Sequence, residues 1–315
     1  MENQYKGVVT KSTGSWYDVL TDNGQVIQCR LRGQFRIMGI KNTNPLVVGD
    51  KVHFTIDKDA TGVIHTLEPR KNYIDRKSTK LSKISHLIAS NIDTAFLVIT
   101  LKQPRTSLGF IDRFIVAAEG FRIPVCLLFN KIDIYDSEEL NVIEELEQLY
   151  SGIGYETLRC SAISGLNIDV IRQKMKGKVS LFSGHSGVGK SAIINAVDPS
   201  LNLKIGEISD YHQKGKHTTT FAQMFPLQQG GGIIDTPGIK EFGLISYSKE
   251  EIRDYFPELR AYNNCCKFYN CLHVHEPECE VIKAVERGEI ALSRYQNYLA
   301  ILQDDDLKIA DWKLR

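Results

Sequence analysis

Short runs of alternating polar and apolar positions dominate the first 70 residues of the chain. Turn-forming residues such as Asp22-Asn23-Gly24 separate runs whose period of two is typical of half-buried strands. The predicted strands cover residues 6–10, 16–20, 26–31, 51–56 and 62–67. Five short strands predict a small β-barrel over residues 1–70, for which an OB-fold is favoured over an SH3-like barrel.

The pattern changes from residue 71 onward, where wholly apolar runs alternate with segments of helical spacing. Residues 94–99 and 125–129 are typical of strands buried on both faces, and a helix is expected after each, the second capped by Ser137. Residues 70–77 are basic and are expected to form a linker or a strap across the next domain. Strands alternating with helices predict an α/β domain with a mostly parallel sheet over residues 71–244.

Residues 245–315 are predicted to form a mostly helical region. A helix is expected over residues 281–302, weakened at Gly288, and a loop rich in Cys and His precedes it over residues 263–279. The predicted fold class is therefore multidomain, with a small N-terminal β-barrel, an α/β core and a helical C-terminal region.

Composition places the chain among ordinary globular proteins. The 315 residues are 42% hydrophobic and 24% charged, with a net charge of +1. The N-terminus has no apolar signal region and no apolar run reaches the roughly 20 residues that cross a bilayer, so we expect a cytoplasmic protein with no membrane partner. Basic residues outnumber acidic ones in the first 80 positions, which suits a polyanion such as RNA, although a solvated surface fits equally well.

The strongest chemical signal is a phosphate-binding loop of the form G-x-x-x-x-G-K-S, with an apolar strand before it and a helix-compatible segment after it. Its glycines let backbone N–H groups point at the α- and β-phosphates, its lysine reaches the β- and γ-phosphates, and its serine binds Mg²⁺. The nucleotide-binding residues predicted here are Gly184, His185, Ser186, Gly187, Val188, Gly189, Lys190, Ser191 and Ala192.

A second string, the guanine string Asn130-Lys131-Ile132-Asp133, stands at the carboxyl end of an apolar strand, where open α/β sheets bind ligands. The Asp133 carboxylate can accept hydrogen bonds from N1–H and the 2-amino group of guanine, whereas adenine would leave it without a partner. This predicts GTP rather than ATP. Ser161-Ala162, at the end of the next predicted strand, matches a backbone contact to guanine O6.

The third string, Asp235-Thr236-Pro237-Gly238, also ends an apolar strand. We expect Asp235 to hold a magnesium-bound water and the Gly238 N–H to sense the γ-phosphate. A threonine within residues 218–220 would give Mg²⁺ a second hydroxyl when GTP is bound, and we favour Thr219, its two neighbours staying open. The predicted magnesium ligands are Ser191, Thr219 and, through water, Asp235.

The residue after Gly238 departs from the pattern of Ras-type GTPases. Those enzymes place a glutamine there that orients the attacking water, and Ile239 cannot do so. We therefore expect slow intrinsic hydrolysis and a different group that completes the site. His217 is the candidate catalytic residue, with a structural or RNA-contacting role as the alternative.

Four cysteines and two histidines cluster within residues 265–279, in a chain whose other cysteines lie scattered in apolar segments. The spacing C-x4-C-x-H-x5-C predicts three thiolates and one imidazole around a structural zinc ion. The predicted ligands are Cys266, Cys271, His273 and Cys279. Cys265 and His275 stay open as substitutes for the first cysteine and the histidine.

In combination, these motifs resemble those of the circularly permuted small-ribosomal-subunit-dependent GTPases, the ribosome biogenesis GTPase A family. The guanine string lies upstream of the phosphate loop, which is the permuted order. The resemblance covers nearly all of the chain, including residues 215–220, the zinc ligands and Glu276-Pro277. It implies an OB-fold that binds ribosomal RNA, a role in late maturation of the small subunit and GTP hydrolysis stimulated by that subunit.

Two functional hypotheses remain. The first is a GTPase switch that hydrolyses GTP to GDP and phosphate and is thereby released from a ribosomal particle. The second is an rRNA-binding assembly chaperone that keeps GTP mainly as a structural ligand, which Ile239 leaves open. The expected cofactors are one structural Zn²⁺ and Mg²⁺ with GTP, and a monomer is expected because no coiled coil or pairing strand is evident.

Overall fold

The computed structural model describes residues 4–31, 45–77, 85–203, 222–235 and 247–303. The chain divides into two compact units, each assembled from several stretches of sequence. The first unit takes residues 1–95, 169–182 and 191–239, and the second takes residues 96–168, 183–190 and 240–315.

The N-terminal strands close into a five-stranded barrel in the first unit. These strands are β1 (Tyr5–Ser12), β2 (Tyr17–Thr21), β3 (Val26–Leu31), β4 (Lys51–Ile56) and β5 (Gly62–Leu67). They pair in the order β1-β2-β3-β5-β4, and β4 returns to β1; β3 and β5 are parallel and the other pairs antiparallel. This closed order is that of an OB-like barrel and confirms the predicted N-terminal fold.

Alternation along the strands fills the barrel with apolar side chains. Inward-facing residues of β2 are buried and their neighbours are half-buried, which is the period of two that the sequence predicts. The barrel core consists of Val9, Tyr17, Val19, Cys29, Leu46, Val52, Phe54 and Ile64. A Cβ atom on Gly62 would lie 2.3 Å from the Cys29 sulfur, so the close approach of β3 and β5 requires glycine there.

A hairpin follows the barrel where a linker or strap was expected. Strand β6 (Tyr73–Lys77) pairs antiparallel with β7 (Ser85–Ser90), so residues 73–77 are a strand and not a linker. The fully buried Asp50 carboxylate accepts hydrogen bonds at 2.6 Å from Arg70 Nε, Arg70 Nη2 and the Ser90 hydroxyl. This network ties the barrel to the hairpin and pairs the buried Asp50 carboxylate with the Arg70 guanidinium.

The α/β core follows as alternating strands and helices. In chain order these are β8 (Thr94–Ile99), α1 (Leu108–Gly120), β9 (Val125–Phe129), α2 (Ser137–Gly152), β10 (Glu156–Arg159), α3 (Ile168–Met175), β11 (Val179–Ser183), α4 (Lys190–Val197), β12 (Gln223–Pro226) and β13 (Gly232–Asp235). In the second unit β9 and β10 are parallel, and in the first unit β11 and β13 are parallel while β12 is antiparallel to β13. The expected parallel α/β core is confirmed, and β9 with the guanine string precedes β11 with the phosphate loop.

Helix α2 begins with a capping box that corrects the predicted cap. The Asp136 carboxylate accepts a hydrogen bond from the Glu139 N–H at 2.9 Å, and the Glu139 carboxylate accepts one from the Asp136 N–H at 3.1 Å. Ser137 is therefore the first helical residue and not the cap. The reciprocal arrangement needs an acceptor at the cap and a glutamate three residues later, which this pair supplies.

The C-terminal region is helical within the described residues. Its helices are α5 (Lys249–Asp254), α6 (Pro257–Arg260), α7 (Glu280–Glu286) and α8 (Leu292–Gln303). The single helix expected over residues 281–302 is two helices, because the chain turns at Gly288 with a positive φ of 74°. None of the helices in the described part of the chain is both long and apolar enough to cross a bilayer.

A buried ionic network joins four helices of the second unit. Arg294 on α8 is 1% exposed; its Nη1 donates to Asp112 on α1 at 2.6 Å and its Nε donates to Glu258 on α6 at 2.7 Å. Asp112 also accepts from Tyr150 on α2 at 2.8 Å and from Asn297 at 2.5 Å. Burial raises the pKa of Asp112, and Arg294 opposes that shift. Removing one partner would leave the other charge buried and unpaired.

We expect Arg294→Met to lower the free energy of unfolding by about 3–5 kcal/mol, because Asp112 and Glu258 lose their buried cation. Urea denaturation of the full chain measures this. The matched control is Arg287→Met, whose ion pair with Glu289 is solvent-exposed and whose loss should change stability little. Equal effects of the two substitutions would contradict the special role of the buried network.

Candidate functional site

The guanine string and the phosphate loop meet through the Asn130 side chain. Asn130 follows the fully buried strand β9, is 2% exposed, and its backbone N–H donates to the Ile99 carbonyl at 2.9 Å. Its Nδ2 donates to the Val188 carbonyl of the phosphate loop at 2.8 Å. A Cβ atom on Gly189 would lie 2.3 Å from that nitrogen, so the contact requires glycine in the loop.

The rest of the guanine string leaves the strand in a tight turn. Lys131 has a left-handed φ of 66° and begins a 3₁₀ turn over Ile132–Ile134. The Lys131 ammonium donates to the Gln103 carbonyl; partial burial lowers its pKa, and Asp133 acts in the opposite direction. Asp133 is exposed, so its carboxylate is accessible to a base.

Ser161 and Ala162 lie in a closed turn after β10. The buried Ser161 hydroxyl accepts hydrogen bonds from the N–H groups of Ile163 at 3.2 Å and Ser164 at 3.0 Å, and the Gly165 N–H donates to the Ser161 carbonyl at 3.0 Å. These bonds fix the backbone around Ala162. Because β10 runs parallel to β9, this turn and the guanine string lie at the same edge of the sheet.

The phosphate loop has the backbone that its glycines predict. Gly184, Gly187 and Gly189 have positive φ angles of 136°, 85° and 102°. A Cβ atom on Gly184 would lie 2.5 Å from the Val98 carbonyl oxygen, which excludes a side chain at the start of the loop. The Lys190 ammonium donates to the carbonyls of Gly184 at 2.7 Å and His185 at 2.8 Å, so it lies within the concave loop, where phosphate oxygens would compete for it.

Two aromatic residues that sequence reasoning missed support these loops. The Phe110 ring of α1 lies 4.0 Å from the His185 ring, centroid to centroid, and burial followed by Lys190 lowers the pKa of His185. The Tyr135 hydroxyl donates to the Asn130 carbonyl at 3.1 Å and accepts from the Leu101 N–H at 3.0 Å. Only the helical spacing of Phe110 was visible in the sequence, and that spacing indicates burial rather than a partner.

The described residues include part of the predicted magnesium and switch set. Ser191 and Ala192 lie in the first turn of α4, directly after the loop lysine. Asp235 ends β13, as expected, although its side chain lies outside the described residues. His217, Thr219 and Gly238 also lie outside them, so their roles stay predictions.

The four predicted zinc ligands converge in the C-terminal region. Cys266, Cys271, His273 and Cys279 bring their donor atoms within 4.8 Å of one another, and all but the first are buried. Cys265 and His275, the possible substitutes, are exposed and lie outside this cluster. The site therefore has the donor set of a closed structural metal centre.

The spacing of the donor atoms fits a tetrahedral ion. Tetrahedral geometry with zinc–ligand bond lengths places two sulfurs about 3.8 Å apart and a sulfur and a nitrogen about 3.6 Å apart. The Cys266 and Cys279 sulfurs are 3.9 Å apart, and His273 Nδ1 lies 3.6 Å from the first and 3.3 Å from the second. Burial lowers the pKa of His273 to about 4, so its imidazole is neutral at pH 7. Burial raises the pKa of Cys271 to about 12, so a bound cation is needed to stabilise its thiolate.

Glu276 organises the loop that carries two of these ligands. Its carboxylate accepts hydrogen bonds from the backbone N–H groups of Leu272 at 2.7 Å, Val274 at 2.8 Å and His275 at 3.1 Å. Partial burial acts to raise the pKa of Glu276, but these N–H groups hold it at about 2. The sequence analysis named Glu276 only as part of the Glu276-Pro277 stretch. Its position between two predicted metal ligands was the one signal in the sequence for a role in this loop.

The same loop is docked on helices α5 and α8. The Tyr295 hydroxyl donates to the His273 carbonyl at 2.7 Å, the Tyr298 hydroxyl donates to the Leu272 carbonyl, and Arg253 Nη1 donates to the Cys271 carbonyl at 3.1 Å. Three consecutive backbone carbonyls of the loop thus accept hydrogen bonds from side chains of two helices. Such contacts orient the ligands, which is the function of an outer shell.

We expect Glu276→Gln to release bound metal to a chelator about 10-fold faster than the unmodified chain, because an amide cannot accept all three N–H bonds as strongly. Metal release is followed with a colorimetric chelator at neutral pH. Glu278→Gln is the control, since Glu278 is exposed and its carboxylate pairs with the Lys267 ammonium at 2.7 Å. Identical release from both variants would contradict the organising role of Glu276.

Comparison with known proteins places the site in a family. A family model described as RsgA GTPase matches residues 67–245, and one described as RsgA N-terminal domain matches residues 6–64. A relative from Bacteroides fragilis, named small ribosomal subunit biogenesis GTPase RsgA, is 52% identical over 96% of this chain and 97% of its own. A relative of the same name from Christiangramia forsetii is also 52% identical, over 96% of each chain.

Two solved structures share the fold. YjeQ from Thermotoga maritima has a TM-score of 0.78 at 36% identity, covering 96% of this chain and 99% of that one. YloQ, described as a circularly permuted GTPase, has a TM-score of 0.75 at 29% identity, covering 98% of both chains. The permuted order of motifs, the OB-like barrel and the extent of these matches lead to one conclusion. The chain belongs to the RsgA GTPase family and is a GTP hydrolase.

Proposed function

We propose that this GTP hydrolase acts in late maturation of the small ribosomal subunit and that the subunit stimulates its turnover. The observation that carries the nucleotide part is the hydrogen bond from Asn130 Nδ2 to the Val188 carbonyl, which holds a guanine-reading string against a phosphate loop. The names of the relatives, small ribosomal subunit biogenesis GTPase, support the biological part. A role on that subunit places the protein in the cytoplasm.

The proposed mechanism assigns each part of the site one task. Asp133 and the turn at Ser161-Ala162 recognise guanine, and Asn130 fixes their distance from the loop. The loop N–H groups and Lys190 neutralise the phosphates. When Mg²⁺ is bound with GTP it offsets the charge that develops on the transferred phosphoryl group; Ser191, Thr219 and Asp235 are the residues that would hold it, and Gly238 would sense the γ-phosphate.

The metal centre is assigned a structural task, and the barrel is assigned RNA binding. The proposed ion is one structural Zn²⁺ on Cys266, Cys271, His273 and Cys279, supported by their donor spacing. The proposed RNA surface is the strand face of the OB-like barrel, a fold whose exposed strands commonly bind oligonucleotides. The excess of basic residues in the first 80 positions supports this assignment.

We expect Asp133→Asn to weaken GTP binding by about 100-fold, because its amide N–H would face the N–H donors of guanine. Xanthosine triphosphate carries a carbonyl in place of the 2-amino group, so its affinity should rise in the same variant. Competition against a fluorescent nucleotide measures both constants. Glu138→Gln, an exposed substitution in the first turn of α2, is the control and should change neither.

The turnover assay tests the proposed function itself. Phosphate release by the full chain is measured with and without purified small ribosomal subunits, and we expect the subunits to accelerate it. His217→Ala should lower the stimulated rate by about 100-fold while GTP affinity stays unchanged, as loss of a general acid–base group predicts.

The assay also separates the alternative function. Co-sedimentation with subunits in the presence of GTP, without any acceleration of phosphate release, would support the rRNA-binding chaperone that keeps GTP as a structural ligand. Ile239, at the position where Ras-type enzymes have glutamine, is the observation that favours this alternative. Full stimulated turnover in His217→Ala would remove the proposed catalytic role of that histidine.

A further inference from the structure

A buried thiol faces the guanine string from the neighbouring strand. Cys160 directly follows β10 and is fully buried. Its backbone N–H donates to the Phe129 carbonyl at 2.8 Å, and its carbonyl accepts from the Ile132 N–H at 3.3 Å. Its sulfur lies 3.6 Å from Asn130 Oδ1, within the range of a hydrogen bond to sulfur. The residue therefore contacts the string by backbone and by side chain.

The Asn130 amide has a partner at each end. Nδ2 donates to the Val188 carbonyl at 2.8 Å, and Oδ1 accepts from the Cys160 thiol at 3.6 Å. With only 2% of Asn130 exposed, water has little access to either atom. A flipped amide would place its oxygen against the Val188 carbonyl oxygen, which is repulsive, and its nitrogen against sulfur, a weak acceptor.

The thiol retains the proton that this contact needs. Burial, with a smaller contribution from Cys126, raises the pKa of Cys160 to about 12. At neutral pH the group is therefore a thiol and not a thiolate, and it has an S–H to donate. Without that donor the buried Asn130 oxygen would be left unsatisfied, which costs more than the hydrogen bond itself contributes.

We propose that Cys160 is a positioning residue for guanine nucleotides. By donating its S–H to Asn130 Oδ1, it holds the amide with one Nδ2 hydrogen on the Val188 carbonyl and the other available to the base. The inference deepens the proposed function and rests on it, because it takes Asn130 to be part of the guanine site. It adds a residue outside the four-residue string that sets the string's geometry.

The neighbouring strand provides a matched control. Cys126 on β9 is as completely buried as Cys160 and lies four positions before Asn130. Replacing either cysteine by alanine removes one buried sulfur, but only the change at 160 removes the donor to Asn130 Oδ1. A packing effect should appear in both variants, whereas a positioning effect should appear in one.

The experiment measures GTP and GDP dissociation constants for the full chain by titration calorimetry. We expect Cys160→Ala to raise both dissociation constants by about 10-fold. Cys126→Ala should change them by less than about 2-fold. Cys160→Ser, which retains a donor, should keep most of the affinity of the unmodified chain. In an Asn130→Ala background, Cys160→Ala should have no further effect, since the two substitutions remove the same contact.

Several results would overturn the proposal. These are unchanged affinity in Cys160→Ala, equal losses in the two alanine variants, a serine variant as weak as the alanine one, or additive losses with Asn130→Ala. If circular dichroism shows that Cys160→Ala is unfolded, Cys160→Val fills the volume without a donor and takes its place beside Cys160→Ser. Unchanged GTP affinity in Asn130→Ala alone would instead overturn the site assignment on which the proposal rests.

Discussion

One buried hydrogen bond, from Asn130 Nδ2 to the Val188 carbonyl, joins the guanine string to the phosphate loop in the candidate nucleotide site. It joins residues 58 positions apart, and it depends on the wholly buried strand β9, which leads into Asn130, and on Gly189, which has no side chain. The contact closes a segment of 58 residues and therefore carries the entropy cost of that closure. Because both partners are buried away from water, the hydrogen bond is stronger than an exposed one and can offset that entropy cost.

Helix α1 connects this site to the C-terminal region within the second unit. Phe110 contacts His185 of the phosphate loop, and two residues later Asp112 accepts hydrogen bonds from Arg294 and Asn297. Residues two apart face different sides of a helix, so α1 contacts the loop on one side and α8 on another. Helix α1 therefore contacts both the phosphate loop and the buried ionic network of the C-terminal helices.

Helix α8 in turn supports the metal centre. Besides Arg294, it carries Tyr295 and Tyr298, whose hydroxyls donate hydrogen bonds to carbonyls of the metal-binding loop. Glu276 satisfies the N–H groups of the same loop. A bound metal would therefore add its bonds to a loop whose carbonyl and N–H groups are also bonded to side chains.

The class of nucleotide, the barrel and the cluster of metal-ligating side chains could be predicted from the sequence alone, because each depends on residue type at fixed local spacing. The glycines of the phosphate loop, the string Asn130-Lys131-Ile132-Asp133 and the C-x4-C-x-H-x5-C pattern are short-range signals. The period of two in the first 70 residues indicated the barrel strands in the same way. Two local predictions were wrong: Asp136 caps α2 in place of Ser137, and residues 73–77 form a strand.

Only the tertiary structure decided which side chains serve these motifs. Cys160 looks like any buried cysteine until its sulfur is placed beside Asn130 Oδ1, and Arg294 pairs with a residue 182 positions away. No local spacing encodes such contacts, because they depend on which buried polar atoms would otherwise lack a partner once the helices and strands are packed. Sequence determined the chemistry of the site; packing decided which additional residues hold that chemistry in place.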